Sequence, residues 1–206
     1  SIDWVTPPTR ALDSSNPPFS RWFPDSELNT CYNAVDRHVA AGRGDQKAII
    51  YDSPITDSAS TMSFSELQTA TARFAGMLAR LGINKGDRVI IYMPMIPQSL
   101  VAMLGCARLG AVHSVVFGGF AAAELAKRID DAQPKAIISA SCGHEPGRIV
   151  AYKPLLDEAI ELASYKPDSC VIYQRAALHA DLVAGRDLEW HAAHEGAEEL
   201  APVTVN

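Results

Sequence analysis

A chain of 206 residues, 48% apolar and 20% charged, can bury a sizeable core and is too hydrophobic to be a disordered segment. Its formal charge of −6 leaves no basic excess for a general nucleic-acid or membrane-surface binder, so any anionic ligand must be held by a local patch. Cys31, Cys106, Cys142 and Cys170 include no C-x-x-C pair and three lie in apolar runs, which points to buried thiols in a reducing compartment rather than disulfides or a zinc site. No signal-peptide pattern opens the chain and no apolar run reaches the ~20 residues of a membrane span, so a cytoplasmic location is expected.

Residues 1–28 carry five prolines, with Trp4, Phe19, Trp22 and Phe23 between them. Proline fixes φ and removes a donor, so this stretch is expected to be an extended arm packed on a larger body. Leu28, Cys31, Tyr32, Val35 and Val39 follow helical spacing, with Asn29 or Thr30 as cap and Gly42 or Gly44 as stop. KAIIY over 47–51 predicts a strand, and the polar run over 52–61 a loop or hairpin tip.

Ser63 with Glu66 forms a capping-box pattern that opens a helix with Leu67, Ala70, Phe74, Leu78 and Leu81 on its apolar face, ended by Gly82. A strand over 88–93 follows, then a helix over 98–109 closed by Gly110. The β-branched run over 112–117 stops at a glycine turn, and a helix over 121–131 runs up to Pro134. A buried strand over 135–140, a helix over 148–163 and a strand over 170–173 complete the pattern, which weakens after Gln174. Strand and helix alternate through short connections, which predicts right-handed βαβ units: an α/β fold with a largely parallel sheet flanked by helices.

The stretch VHSVVFGGFAAAELAKR, 112–128, organises the rest. Its turn, Phe117-Gly118-Gly119-Phe120, falls at the carboxyl end of a strand and the amino end of a helix, where open α/β sheets place ligands and free N–H groups attract phosphate. A tight connection with no ligand fits the spacing equally well. Neither the G-x-G-x-x-G dinucleotide fingerprint nor a P-loop occurs. CGHEPGRIVAYK, 142–153, should project from the same strand ends, making Arg148 and Lys153 the natural phosphate partners, unless they are simply solvated cations; Glu145 would weaken their field. His191 and His194 could share a helix face but lack a third metal ligand, and His113 fits a hydrogen-bonded core position better than a catalytic base.

YMPMIPQSLVAMLGCARLGAVHSVVFGGFAAAELAKRIDDAQPKAIISA, 92–140, resembles the acyl-CoA synthetases of the adenylate-forming superfamily. The opening SIDWVTPPTRALDSSNPPFSRWF and the later EPGRIVAYKPLLDEAIELA are closer to the propionyl-CoA than to the acetyl-CoA synthetases. The resemblance implies an acid–thiol ligase that uses ATP, Mg and CoA on a short carboxylate such as propionate or acetate. It implies an N-terminal extension over 1–60 and the first part of the AMP-binding domain over 61–206. Phe117, Gly118, Gly119 and Arg148 match stretches that line the CoA site in that family, and Lys153 is grouped with them.

The family's phosphate loop, T-S-G-T-T-G-x-P-K-G, is absent, as are its ribose-binding aspartate and C-terminal lysine. The resemblance therefore implies an amino-terminal piece, inactive alone, whose partners are small-molecule substrates and the remainder of the same polypeptide, with no nucleic acid or membrane. A free-standing nucleotide-binding module and a dimerising piece stay open as alternatives.

Overall fold

Four successive residues, Val89, Ile90, Ile91 and Tyr92, have no solvent exposure, because the strand that carries them is covered on both faces. That is the signature of a central parallel strand. The computed structural model describes residues 2–118 and 120–206. Its elements begin with a hairpin of β1 (Leu12–Asn16) and β2 (Phe19–Trp22) and a wide-turned helical stretch over 30–43. A second hairpin pairs β3 (Lys47–Ser53) with β4 (Ser58–Ser63) and feeds α1 (Phe64–Arg80).

The doubly covered sheet follows: β5 (Arg88–Tyr92), α2 (Pro97–Leu109), β6 (Val112–Val116), α3 (Ala122–Ala132) and β7 (Ala136–Ala140). A third hairpin, β8 (Cys142–Glu145) and β9 (Arg148–Ala151), precedes α4 (Tyr152–Leu162), β10 (Ser169–Tyr173), β11 (Asp187–Glu189) and the short α5 (Trp190–His194). The sheet order is β11-β10-β7-β5-β6, parallel throughout, so the expected α/β architecture is present. Val89, Ile91, Ile138 and Val171 pack with α1, α2 and α5, while Ile90, Tyr92, Ile137 and Ile172 pack with α3 and α4. Each large side chain buried this way, Phe74 or Leu156 for example, stabilises by roughly 1.5–3 kcal/mol relative to exposure.

Local chemistry sets the boundaries. Ser63 Oγ accepts from the Glu66 N–H at 3.2 Å and Glu66 Oε2 accepts from the Ser63 N–H at 2.7 Å, the reciprocal capping box expected of α1. Gly110 closes α2 in the left-handed region at φ 73, where a Cβ would be strained. Of the two candidate caps for the first helical stretch, the structure selects Asn29, whose Oδ1 accepts from the Tyr32 N–H at 2.9 Å. Its amide also donates to the carbonyls of Ala107, Arg108 and Val203, tying this stretch to α2 and to the chain's last residues. The buried Arg108–Asp36 pair, 2.7 Å apart, adds a second tie.

Two expectations change. The arm is anchored at its base, where Trp4 packs on Phe23 at 5.3 Å, but Phe19 and Trp22 on its hairpin stay largely exposed instead of packing on the body. The helix expected over 148–163 begins only at Tyr152, since Arg148–Ala151 pairs as β9 with Cys142–Glu145. Pro146-Gly147 makes the turn between them, with Gly147 at φ 77, and the β-branched Ile149 and Val150 extend it.

Candidate functional site

The chain leaves β5 through α2 on one sheet face and leaves β6 through α3 on the other, so the carboxyl ends of these neighbouring strands splay into a crevice. A cavity of about 560 Å³ occupies it, walled by Met93, Pro94, Val116, Phe117 and Gly118 from the strand ends. Tyr51 of β3, His144 and Glu145 of β8, Tyr152 and Arg175 close the remaining sides. An adjoining cavity of about 500 Å³ shares Tyr51, His144 and Arg175 but is lined by the hydroxyls of Thr56, Ser58 and Ser60 and by Gln98. One cavity is thus largely apolar and the other hydroxyl-rich, with Arg175 on the wall common to both.

The glycine turn lies at this crevice, as strand-to-helix order requires. Phe117 is 72% exposed and meets Phe120 edge-on at 5.8 Å. Gly118 is buried, and the atom that needs its missing side chain is inside the protein: a Cβ there would lie 2.1 Å from Tyr152 Oη. The Tyr152 ring is hemmed on another side by Gly143 and stacks on Tyr92 at 5.1 Å. Burial pushes the Tyr92 phenol up to about 12, so it stays a donor, and it donates to the Phe120 carbonyl at 3.1 Å. Gly119 lies outside the described residues.

The two cations expected beside the turn part company. Arg148 is 71% exposed and its guanidinium grips Glu145, Nε at 2.7 Å and Nη2 at 2.5 Å. Because Glu145 lines the cavity, Arg148 stays near the crevice as an ion-paired group. Lys153 does not reach it. Its side chain is 4% exposed, with Nζ bonded to both Asp157 oxygens, at 2.6 and 2.7 Å, and 2.9 Å from Asp187 Oδ2. Arg186 completes that cluster through Asp157 and Asp187. Lys153 precedes Pro154 in the first turn of α4 and faces a separate cavity lined with Asp157, Glu158 and Glu161, so it is a fold-building cation.

Arg175 was not anticipated, because the apolar pattern fades after Gln174; its place just beyond a confident strand was the available signal. Its backbone N–H donates to Ser141 Oγ at 2.8 Å and its Nη1 to the Cys142 carbonyl at 3.2 Å. Partial burial and the Arg175 charge hold the His144 imidazole below its ordinary pKa, so it is neutral near pH 7. The cysteines are buried and unpaired, and burial pushes the thiols of Cys106 and Cys170 up to about 12. Among the described residues no three His, Cys, Asp or Glu converge as a metal site.

A doubly wound sheet whose crevice opens at a glycine turn is the architecture of a nucleotide-handling domain, and the chain belongs to the AMP-binding enzyme family, whose profile matches residues 36–202. Residues 1–34 match the acetyl-coenzyme A synthetase N-terminus. Similar curated relatives include acyl-CoA synthetase short-chain family member 3, mitochondrial, of Rattus norvegicus, 51% identical over 190 residues, which cover 92% of this chain and 28% of that protein. The acetyl-coenzyme A synthetase of Streptomyces avermitilis is 45% identical over 199 residues, covering 96% of this chain and 30% of its own length.

Acetoacetyl-CoA synthetase from Streptomyces lividans superposes with a TM-score of 0.85 at 24% identity, covering 99% of this chain and 30% of that one, a likeness of fold. The chain therefore spans under a third of the length of these relatives. Among the described residues no helix is long and apolar enough to cross a membrane.

Proposed function

We propose that this chain serves an ATP-dependent short-chain acyl-CoA synthetase, acting on propionate in preference to acetate, and that its own crevice forms a wall of the coenzyme A site. In that chemistry a carboxylate oxygen attacks the α-phosphorus of ATP and pyrophosphate leaves. The CoA thiol then attacks the acyl carbon and AMP leaves, a far better leaving group than the hydroxide a free acid would expel.

What this chain contributes is binding and exclusion of water. The exposed ring of Phe117 offers an apolar face, and Gly118 at the strand exit brings backbone to the cavity wall. Arg148, still paired to Glu145, adds a guanidinium edge at the rim of the crevice beside the ligand's phosphates. Lys153 is left out, since its Nζ is held by Asp157 and Asp187.

The observation that carries the reading is the 51% identity to a short-chain acyl-CoA synthetase across nearly the whole chain. Preference for propionate rests on the resemblance of the opening segment and of residues 145–163. The test is to assay the polypeptide that carries this chain with acetate, propionate and butyrate, ATP, Mg and CoA. Acyl-CoA and AMP should form in equal amounts, fastest with propionate, and the 206-residue chain by itself should turn over nothing. ADP in place of AMP would sink the assignment, and a preference for acetate would correct its substrate.

A further inference from the structure

The cations near the crevice are mostly committed: Arg148 to Glu145, Arg186 and Lys153 to Asp157 and Asp187. Arg175 differs. It lies on the wall shared by both cavities, and no carboxylate among the described residues comes within ion-pair distance of it. The contact with the Cys142 carbonyl steadies one edge of the guanidinium, and the remainder of its five N–H donors have no protein acceptor among the described residues. The groups that share its walls do not cancel its charge. Tyr51, Thr56, Ser58, Ser60 and Gln98 are neutral hydrogen-bonding side chains, His144 is neutral near pH 7, and Glu145 is held by Arg148.

A half-buried, steadied, unneutralised guanidinium beside a hydroxyl-lined cavity is suited to a tetrahedral anion, which takes a bidentate fork and accepts further bonds from hydroxyls. We propose that Arg175 is the anion anchor of this cleft and binds a phosphoryl group of the ligand in the hydroxyl-lined cavity, while the ligand's less polar part lies along Phe117 and Met93. The proposal rests on the preceding reading in one respect, that the phosphoryl group belongs to coenzyme A.

The test is calorimetric titration of the 206-residue chain at low ionic strength with coenzyme A, pyrophosphate and pantetheine. Arg175→Gln should weaken coenzyme A and pyrophosphate by about tenfold or more, the size of a lost charge-assisted bond, and leave pantetheine unchanged. Arg175→Lys, which keeps charge but not the fork, should fall between. Arg10→Gln, which removes an exposed ion pair with Asp13 in the N-terminal arm, should behave as the parent, and the amide spectrum of each variant monitors folding.

Coenzyme A binding that Arg175→Gln does not weaken would overturn the anchor while leaving the coenzyme A reading intact. Pyrophosphate binding that needs Arg175 without any coenzyme A binding would uphold the anchor and overturn that reading. No binding of either ligand by the parent chain would overturn both.

Discussion

Gly118 shows how a residue can be legible in kind but not in cause. A glycine at a strand exit is visible in the sequence as a place where a side chain is unwelcome, and a ligand is the obvious reason. In the folded chain the nearest intruder on its missing Cβ is Tyr152, supplied by an element still to come when the turn is read. Gly118→Ala would force the tyrosine ring off its stack with Tyr92 and should destabilise by about 1–3 kcal/mol, as overpacking of a well-filled core does. The urea midpoint measures it. Combining it with Tyr152→Phe should recover only part of the loss, because ring carbons at 2.7 and 2.8 Å remain after the hydroxyl is removed. Full recovery, or no loss in the single variant, would show that the ring moves freely and that the glycine answers to something else.

Among the elements, those with a clean period were legible: α1 with its capping box, α2 up to Gly110, and the buried strands β5, β7 and β10, whose unbroken apolar runs leave no polar face. The stretch over 142–153 was not, since Val150 reads as a continuation of the apolar pattern of Leu155, Leu156, Ala159 and Ile160, while Pro146-Gly147 folds the segment back on itself. That later helix start also decides the neighbours of Lys153, because it puts the lysine in the first turn of α4 rather than in its second turn beside the glycine turn. Here the neighbours are Asp157 and a fully buried Asp187. Burial pulls the Asp187 carboxyl up, but hydrogen bonds from Arg186, Lys153 and the Val183 N–H outweigh it and hold its pKa below the ordinary value. Lys153→Met should therefore cost about 3 kcal/mol, the cost of leaving a buried charge short of its partner, read from the same urea midpoint. Adding Asp187→Asn should return part of that stability. A silent Lys153→Met would reopen the lysine as a ligand contact.

At the scale of the whole molecule partly buried histidines set how the fold responds to acid. His38, His113, His144 and His194 are all held below the ordinary histidine pKa, first by desolvation. His194 is the most embedded, stacked on Trp190 at 4.8 Å and on Phe74 at 5.5 Å, with Nδ1 2.6 Å from the Trp190 carbonyl. Because the folded pKa is the lower one, the unfolded chain takes up protons first as pH drops through about 6.5, and stability falls from there until the folded histidines titrate too. Asp187, Asp87 and Glu66 have the opposite arrangement of charge: their folded pKa values are depressed, so their contribution is complete above the unfolded carboxylate range and is lost only at lower pH. Between pH 7 and 5 the histidine effect thus stands alone, opposed only by weaker self-repulsion as the charge of −6 is neutralised. The urea midpoint should fall between pH 7.5 and pH 5, and His194→Gln should flatten the fall. A midpoint that holds level to pH 5 and drops only below pH 4 would mean that carboxylates, not partly buried imidazoles, govern the acid limit of this fold.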